Sequence, residues 1–288
     1  MQSENVTQVL STVLQHTLEV ETWSWLRDKL DSIIRESSAK EMYMTYSLLA
    51  SKIQNNEVPE ISGNGEVADY LRLQRADLQQ ISRIYLLMEV LEADPDMFRP
   101  KVANIIQVAD TGELATFLKF LVFLPNPEVY KHTAVEALRT NISTVFNAIA
   151  LNNPYPALYF NEQQWNQMYL KTAFMQGDLS AIKEIDARAN TELTRIISDY
   201  AHERWAASRD IDPYFWRPVA QYLNPTLLKD MQRLLKSDNP MENRVGALCC
   251  HTSKNAGAKE LLEAYPELKS GIDRGEISWE NLKDQDRS

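Results

Sequence analysis

The chain contains 288 residues, of which 44% are hydrophobic and 24% are charged, and its formal net charge is −10 at pH 7. This composition is that of a globular protein, and the length allows one large domain or two small ones. A surface this acidic repels phosphate backbones and anionic lipid, so neither nucleic acid nor a membrane surface is expected as a partner. The N-terminal residues "MQSENVTQ" lack a basic stretch followed by an apolar run, which predicts a cytoplasmic protein.

The whole chain is predicted to be helical. It has only 8 glycines, fewer than an all-β protein with many tight turns requires, and it lacks convincing runs of alternating polar and apolar residues. The clearest loop is Asn55–Glu66, "NNEVPEISGNGE". We therefore predict a single all-α domain over 1–288, with a softer boundary near 55–66 that separates an N-terminal helical portion.

The most apolar run, "LATFLKFLVFLP" (114–125), is predicted to be a buried helix. It is about half as long as a membrane span and contains Lys119, so insertion into a membrane is not expected.

The segment "TAVEALRTNISTVFNAIA" (133–150) is predicted to form one amphipathic helix. Its apolar residues step by three and four along the chain at Val135, Leu138, Ile142, Val145 and Ile149.

Four Asn-Pro dipeptides divide the later chain, beginning at Asn126, Asn153, Asn224 and Asn239. Proline disfavours the α region for the residue before it and is tolerated at a helix start. Each dipeptide is therefore predicted to end one helix and to begin a turn or the next helix. Twice the order is an apolar helix, an Asn-Pro turn, and a helix with small residues on its apolar face. Such pairs predict irregular stacked helix pairs resembling a short HEAT-like α-solenoid, with a compact bundle as the competing architecture.

Asparagine and aromatic residues alternate densely between Arg139 and Lys171. One interpretation is that asparagines cap helices while aromatic rings fill the core. The other is a cleft lined by aromatic rings, with a few amide and charged groups that orient a small molecule. The residues proposed to contact a ligand here are Arg139, Asn147, Asn153, Tyr155, Trp165, Asn166 and Lys171.

The stretch "SDYAHERWAASR" places Asp199, His202 and Glu203 one turn apart on a predicted helix. Three interpretations are open for these side chains. They could form a solvated face with an Arg195–Asp199 ion pair, a polar patch that faces a groove, or part of the ligand shell of a metal ion. The second histidine of the H-E-x-x-H zinc motif is absent, so no metal is assigned. Asp199, His202, Glu203 and the adjacent Arg204 complete the set of candidate ligand-binding residues.

Other motifs for catalysis or cofactor binding are missing from the sequence. There is no G-x-S-x-G elbow, no glycine-rich phosphate loop, and no unbroken aspartate cluster of the kind that holds a magnesium–diphosphate. Cys249 and Cys250 are adjacent and lack the C-x-x-C spacing of zinc ligands, so we expect them to be apolar residues in a packed helix. No cofactor is expected, and no catalytic residue is assigned.

Three stretches resemble the EboA family of bacterial proteins: "EALRTNISTVFNAIALNNPYPALYFNEQQWNQMYLKTAF", "IDARANTELTRIISDYAHERWAASRDIDPYFWRPV" and "GEISWENL". The resemblance is dense from about Gly112 to Tyr222. It implies a soluble protein encoded beside a UbiA-like prenyltransferase, a TatD-like hydrolase and sugar-phosphate-type enzymes. It further implies a part in traffic of secondary-metabolite precursors from cytoplasm to periplasm. It carries over no residue-level site.

Together these observations favour a non-enzymatic helical binding or scaffold protein. Its expected partners are a small isoprenoid- or cyclitol-linked metabolite, or the prenyltransferase and hydrolase encoded in the same gene cluster. The alternative is an enzyme that acts on a prenylated or cyclitol-like intermediate with the Asp199, His202 and Glu203 patch as acid and base. An interaction platform without any small-molecule site is a third hypothesis.

Overall fold

The computed structural model describes residues 5–282, and every regular element within that range is helical. The prediction of an all-α fold is confirmed. The chain divides into two compact units, Met1–Tyr159 (unit 1) and Phe160–Ser288 (unit 2). The loop at 55–66 lies inside unit 1. The single domain and the HEAT-like stacking stay predictions.

Five helices of unit 1 pack against one central helix. In chain order they are α1 (Val6–Thr17), α2 (Val20–Glu36), α3 (Ala39–Lys52), α4 (Glu66–Leu73), α5 (Leu78–Ala93), α6 (Pro95–Ala103), α7 (Ile105–Val108), α8 (Thr111–Lys119), α9 (Lys131–Ala137), α10 (Ser143–Ala150) and α11 (Tyr155–Tyr159). Two 3-10 helices, Leu121–Phe123 and Pro127–Tyr130, lie between α8 and α9. Helix α5 packs against α1, α2, α3, α6 and α8, and most of its residues are buried. A helix that is apolar on almost every side is stable only at such a centre.

Unit 2 has a similar centre. Its helices are α12 (Glu162–Phe174), α13 (Ile185–Arg188), α14 (Thr191–Ala206), α15 (Pro225–Leu235), α16 (Pro240–Thr252), α17 (Ala256–Glu263) and α18 (Pro266–Asp273), with 3-10 helices at Leu179–Ala181 and Pro213–Tyr222. Helix α16 packs against α15, α17, α18 and the segment Pro213–Tyr222. A Cβ built on Gly246 would lie 3.1 Å from the Leu235 side chain, so the absence of a side chain sets the close approach of α15 and α16.

The Asn-Pro dipeptides begin helical elements, as predicted. Pro225 and Pro240 are the first residues of α15 and α16. The Asn224 side chain accepts a hydrogen bond from the Leu227 amide at 3.0 Å, and Asn239 caps α16 in the same manner. These asparagines therefore satisfy amide groups that the first helical turn leaves unpaired.

The prediction of one helix over 133–150 is wrong. Helix α9 ends at Ala137 and α10 begins at Ser143, with a turn between them. In that turn the Thr140 hydroxyl accepts a hydrogen bond from the Ile142 amide at 3.1 Å. Such side-chain bonds to the local backbone compete with helical ones, and here they leave Ile142 exposed. The apolar run at 114–125 was predicted to be one buried helix, and the structure differs from this in part. Helix α8 ends at Lys119, and a 3-10 helix follows.

Candidate functional site

An apolar groove with a volume of about 880 Å³ opens on unit 1. Its lining comes from four separate parts of the chain: Val6; Glu66, Asp69, Tyr70 and Leu73; 122–127; and Pro154, Leu158 and Tyr159. Phe123 and Leu124 are buried in its floor, whereas Leu73 and Leu158 are exposed at 45% and 61%. Volume and apolar lining match those of small-molecule sites, which measure about 300–1,000 Å³. We refer to it as the unit 1 groove.

One face of α4 forms a wall of this groove. Glu66, Asp69, Tyr70 and Leu73 follow the i, i+3, i+4, i+7 spacing that aligns side chains along one side of a helix. The two carboxylates lie toward the start of α4, and the apolar Leu73 ends it. The wall therefore changes from acidic to apolar along its length.

Asn153 and Tyr155, two residues that the sequence singled out, lie beside the lining residue Pro154 in the chain. The Asn153 amide donates hydrogen bonds to the backbone oxygens of Leu118 and Ala148, at 3.0 and 2.9 Å, and its oxygen accepts from the Tyr155 amide. The buried Tyr155 hydroxyl donates to the Pro127 oxygen at 2.7 Å, and burial raises the pKa of that hydroxyl. Neither residue lines the groove, but Tyr155 bonds to the lining residue Pro127, and Asn153 directly precedes the lining residue Pro154. That either touches a ligand stays a prediction.

The other two candidates in unit 1 lie elsewhere. Arg139 is exposed and pairs with the Glu136 carboxylate at 3.1 Å, one turn earlier in the chain. Asn147 is partly buried within α10. The structure does not bring either of them to the lining of the unit 1 groove.

Three candidates lie on α12 in unit 2. Asn166 is buried and exchanges hydrogen bonds with the side chain of Asn190, at 3.1 and 2.9 Å, which is an amide pair that fixes both side chains. The buried Trp165 ring lies 4.9 Å from the guanidinium carbon of Arg188. Lys171 is partly buried, and desolvation lowers the pKa of its ammonium group. These contacts describe packing, and ligand binding by the three residues stays a prediction.

Asp199, His202 and Glu203 do not converge on one point. Asp199 is exposed and binds Arg195 at 2.6 Å, which is the ion pair expected of a solvated face. Glu203 is also exposed. His202 instead bonds through Nε2 to the Asp230 carboxylate of α15, at 2.7 Å. Arg204 donates to the Asp210 backbone oxygen at 2.6 Å, so it closes the end of α14.

Asp230, the partner of His202, was not among the residues predicted from the sequence. Its side chain is only 7% exposed, and it also accepts a hydrogen bond from the Ser198 hydroxyl at 3.2 Å. A signal was present, because Asp230 lies three residues after Leu227 and one before Met231 on the apolar face of α15. A carboxylate on a buried face requires a hydrogen-bond donor from a neighbouring element.

The His202 ring also borders an aromatic stack. Its centroid lies 5.7 Å from Trp205, and Trp205 stacks on the buried Trp216 at 5.4 Å. The Arg233 guanidinium lies 4.1 Å from the centre of the Trp205 ring. Within residues 5–282 no group of three or more His, Cys, Asp and Glu side chains is placed to hold a metal ion.

The chain matches a known protein family. The model of the family described as "Metabolite traffic protein EboA" matches residues 6–220. The chain belongs to the EboA family. Searches of curated proteins and of solved structures give no match. In the part of the chain that the structure describes, no helix is both long and apolar enough to cross a membrane. The family description therefore indicates a role in metabolite traffic.

Proposed function

We propose that this EboA protein is a non-enzymatic carrier. It holds the apolar chain of an isoprenoid-linked metabolite precursor in the unit 1 groove while the precursor is made and passed on from cytoplasm to periplasm. The observation that carries this proposal is the groove itself, with aromatic and aliphatic side chains over a buried floor and two exposed leucines at its rim. Exposed leucines that border a concave apolar surface are favourable contacts for an apolar ligand.

The family description supports the same process, since a protein of metabolite traffic must hold its cargo. An isoprenoid chain is apolar, branched and flexible, and it gains free energy mainly by leaving water. Each buried methylene or methyl group contributes about 0.8 kcal/mol. A chain of a few isoprene units would therefore bind with useful affinity without specific polar contacts.

Direct titration tests this function. Farnesol is titrated into the purified chain by calorimetry, below the concentration at which farnesol aggregates, and saturable one-to-one binding is expected. Leu73→Asp introduces a charge at the rim and should weaken binding at least tenfold, because a carboxylate beside a bound apolar chain loses its hydration. Met44→Asp is the matched control, since Met44 is 44% exposed on α3 and does not line the groove. Equal binding by both variants, or no binding by the unaltered protein, would refute the proposal.

Proteins of the same gene cluster are proposed as partners that load or unload the carrier. The expected ones are the prenyltransferase and the hydrolase. Each is purified separately and titrated against this protein at micromolar concentration, with and without the prenol. If neither enzyme binds this protein, with or without the prenol, the assignment of these partners is refuted, and the proposed carrier function is unaffected.

A second candidate function is favoured by one contact, the bond between His202 and Asp230. A buried carboxylate that holds an imidazole through Nε2 leaves Nδ1 to exchange protons with a bound molecule, as in general acid–base catalysis. The substrate would be a prenylated or cyclitol-like intermediate. Incubation with such compounds, followed by mass spectrometry, tests it: turnover should occur and be lost in His202→Gln. Turnover that persists in this variant would contradict the assignment.

A further inference from the structure

We propose that a second cavity, on unit 2, binds a neutral polyhydroxylated ring molecule, that is, a sugar or a cyclic polyol. Its volume is about 620 Å³, and its lining comes from one face of α14, from residues between 221 and 226, and from 253–255. We refer to it as the unit 2 pocket. Its volume lies within the range of small-molecule sites, about 300–1,000 Å³. It shares no residue with the unit 1 groove, so this inference does not rest on the carrier function.

The α14 side of the unit 2 pocket consists mainly of hydroxyl groups. Its lining residues follow the i, i+3, i+4, i+7, i+8 spacing that aligns side chains on one face of a helix: Thr191, Thr194, Arg195, Ser198 and Asp199. The two charged members of this face, Arg195 and Asp199, bind each other at 2.6 Å. Their charges therefore compensate each other, and three hydroxyl groups remain to contact a ligand.

The buried hydroxyls of the lining offer both acceptors and a donor. Thr194 donates through Oγ1 to a backbone oxygen one turn earlier, at 2.8 Å, and Ser198 donates through Oγ to the Asp230 carboxylate at 3.2 Å. Because these protons are already donated, both oxygens keep lone pairs for a donor on the ligand. Ser253 is only 2% exposed, and its Oγ accepts from an amide two residues later at 3.1 Å. Among the residues that the structure describes, its own proton has no acceptor, so it is available to a ligand oxygen.

The exposed part of the lining adds neutral groups of the same kind. Within residues 5–282 the hydroxyls of Thr191 and Thr226 make no hydrogen bond, and the Asn224 side-chain nitrogen donates none. Tyr222 adds an aromatic ring, which is held by a hydrogen bond from its hydroxyl to the Ala189 backbone oxygen at 3.0 Å. A sugar or cyclic polyol has hydroxyls that donate and accept around its edge and apolar C–H groups on its faces. Such a molecule matches this mixture of hydroxyls, amides and one ring.

The helix starts beside the unit 2 pocket are capped, which disfavours an anion. Helices α14, α15 and α17 begin there, and free amides at helix N-termini attract anions. The side-chain oxygens of Asn190, Asn224 and Asn255 already accept from amides two or three residues later, at 2.8–3.0 Å. Lys254 is exposed and adds one ammonium donor, which a ligand hydroxyl can accept.

Titration with ligands that share a six-membered ring tests the inference. The probes are myo-inositol and methyl glucoside, followed by saturation-transfer NMR, and saturable binding at millimolar concentration is expected. Cyclohexanol should bind about tenfold more weakly or less, because one hydroxyl leaves most of the polar lining without a partner. Inositol 1-phosphate should bind no more tightly than myo-inositol.

Variants of the lining locate the site. Thr194→Val combined with Ser253→Ala should weaken the binding of myo-inositol about tenfold or more, because two buried hydroxyls are removed. Thr252→Val is the matched control, since Thr252 is an exposed neighbour of Ser253 that does not line the pocket. Thr226→Leu removes an exposed hydroxyl of the lining and should weaken binding about twofold or more. It carries the test if the unfolding midpoint shows that the double variant does not fold.

Each outcome supports or overturns the assignment. Absence of binding by both polyols overturns it, and so does equal binding of cyclohexanol. Tighter binding of inositol 1-phosphate than of myo-inositol overturns the neutral ligand class and indicates an anion site. Binding that is unchanged both in the folded lining variants and in Thr252→Val places the polyol elsewhere. None of these results bears on farnesol binding by the unit 1 groove, so the two proposals fail separately.

Discussion

Replacement of His202 by alanine should destabilise the protein far more than its exposure suggests. The His202 side chain is 45% exposed, and substitutions at such positions usually change the free energy of unfolding by less than about 0.5 kcal/mol. Its Nε2 atom, however, lies 2.7 Å from the carboxylate of Asp230, which is only 7% exposed. The loss should therefore be set by the buried partner.

The magnitude follows from the contacts of Asp230. Without His202, the carboxylate keeps, among the residues that the structure describes, only the Ser198 hydroxyl at 3.2 Å as a side-chain donor. A hydrogen bond to a charged group contributes about 1.5–3 kcal/mol to stability, and a buried charge that loses a partner carries its desolvation cost. We expect His202→Ala to lower the free energy of unfolding by about 1.5–3 kcal/mol. Alanine favours helix more than histidine does, so helix propensity opposes the loss.

The assay is urea unfolding followed by tryptophan fluorescence, with Glu203→Ala as the matched control. Glu203 is the next residue of the same helix and is exposed, so its replacement should cost less than about 0.5 kcal/mol. A double-mutant cycle of His202→Ala and Asp230→Asn should give a coupling energy of about 1 kcal/mol or more. If His202→Ala costs no more than Glu203→Ala, or if the coupling is zero, the bond to Asp230 does not stabilise the fold.

Four further outcomes are expected. Gly246→Leu should lower the free energy of unfolding by about 1–3 kcal/mol or more, because the Cβ atom alone would lie 3.1 Å from a neighbouring leucine side chain. Gly112→Ala is the control and should be tolerated, and thermal unfolding compares the two variants. Asn153→Ala should cost about 1–3 kcal/mol in urea unfolding, since two backbone oxygens and one amide lose their partner. Cys249 and Cys250 are buried, and burial raises the pKa of the Cys250 thiol to about 12, so a thiol reagent at pH 8 should react with neither until the chain unfolds. If the chain is the single domain that the sequence predicts, fluorescence and circular dichroism should report one coincident unfolding transition, and two separated transitions would contradict it.

Local features were predictable from the sequence because short-range interactions decide them. Three of the four Asn-Pro dipeptides place their proline as the first residue of a helical element, and Pro154 directly precedes α11, since proline restricts its own residue and the one before it. The Arg195–Asp199 ion pair follows directly from a four-residue spacing on a helix. The prediction of one helix over 133–150 was wrong because the spacing of apolar residues takes no account of side-chain hydrogen bonds to the local backbone. Here the Thr140 hydroxyl accepts such a bond from a nearby amide.

Contacts between residues that are distant in the chain were decided by the packing of the helices. The spacing of His202 indicated Asp199 and Glu203 as neighbours, yet its bond is to Asp230, on the next α-helix of the chain. Asn153 and Tyr155 were expected near a cleft. They do not line the unit 1 groove, but Tyr155 bonds to one of its lining residues and Asn153 directly precedes another.

The sequence by itself determined the helical class of this protein, the starts of several helices and the family to which it belongs. The helical class and the helix starts depend on residues within a few positions of one another, where backbone sterics and side-chain spacing act directly, whereas the family match rests on similarity along residues 6–220. Only the tertiary structure decided that Val6, α4, 122–127, Pro154 and the end of α11 form one groove. Such a surface arises when helices far apart in the chain pack through their buried faces, and no local pattern specifies which of their exposed residues then become neighbours.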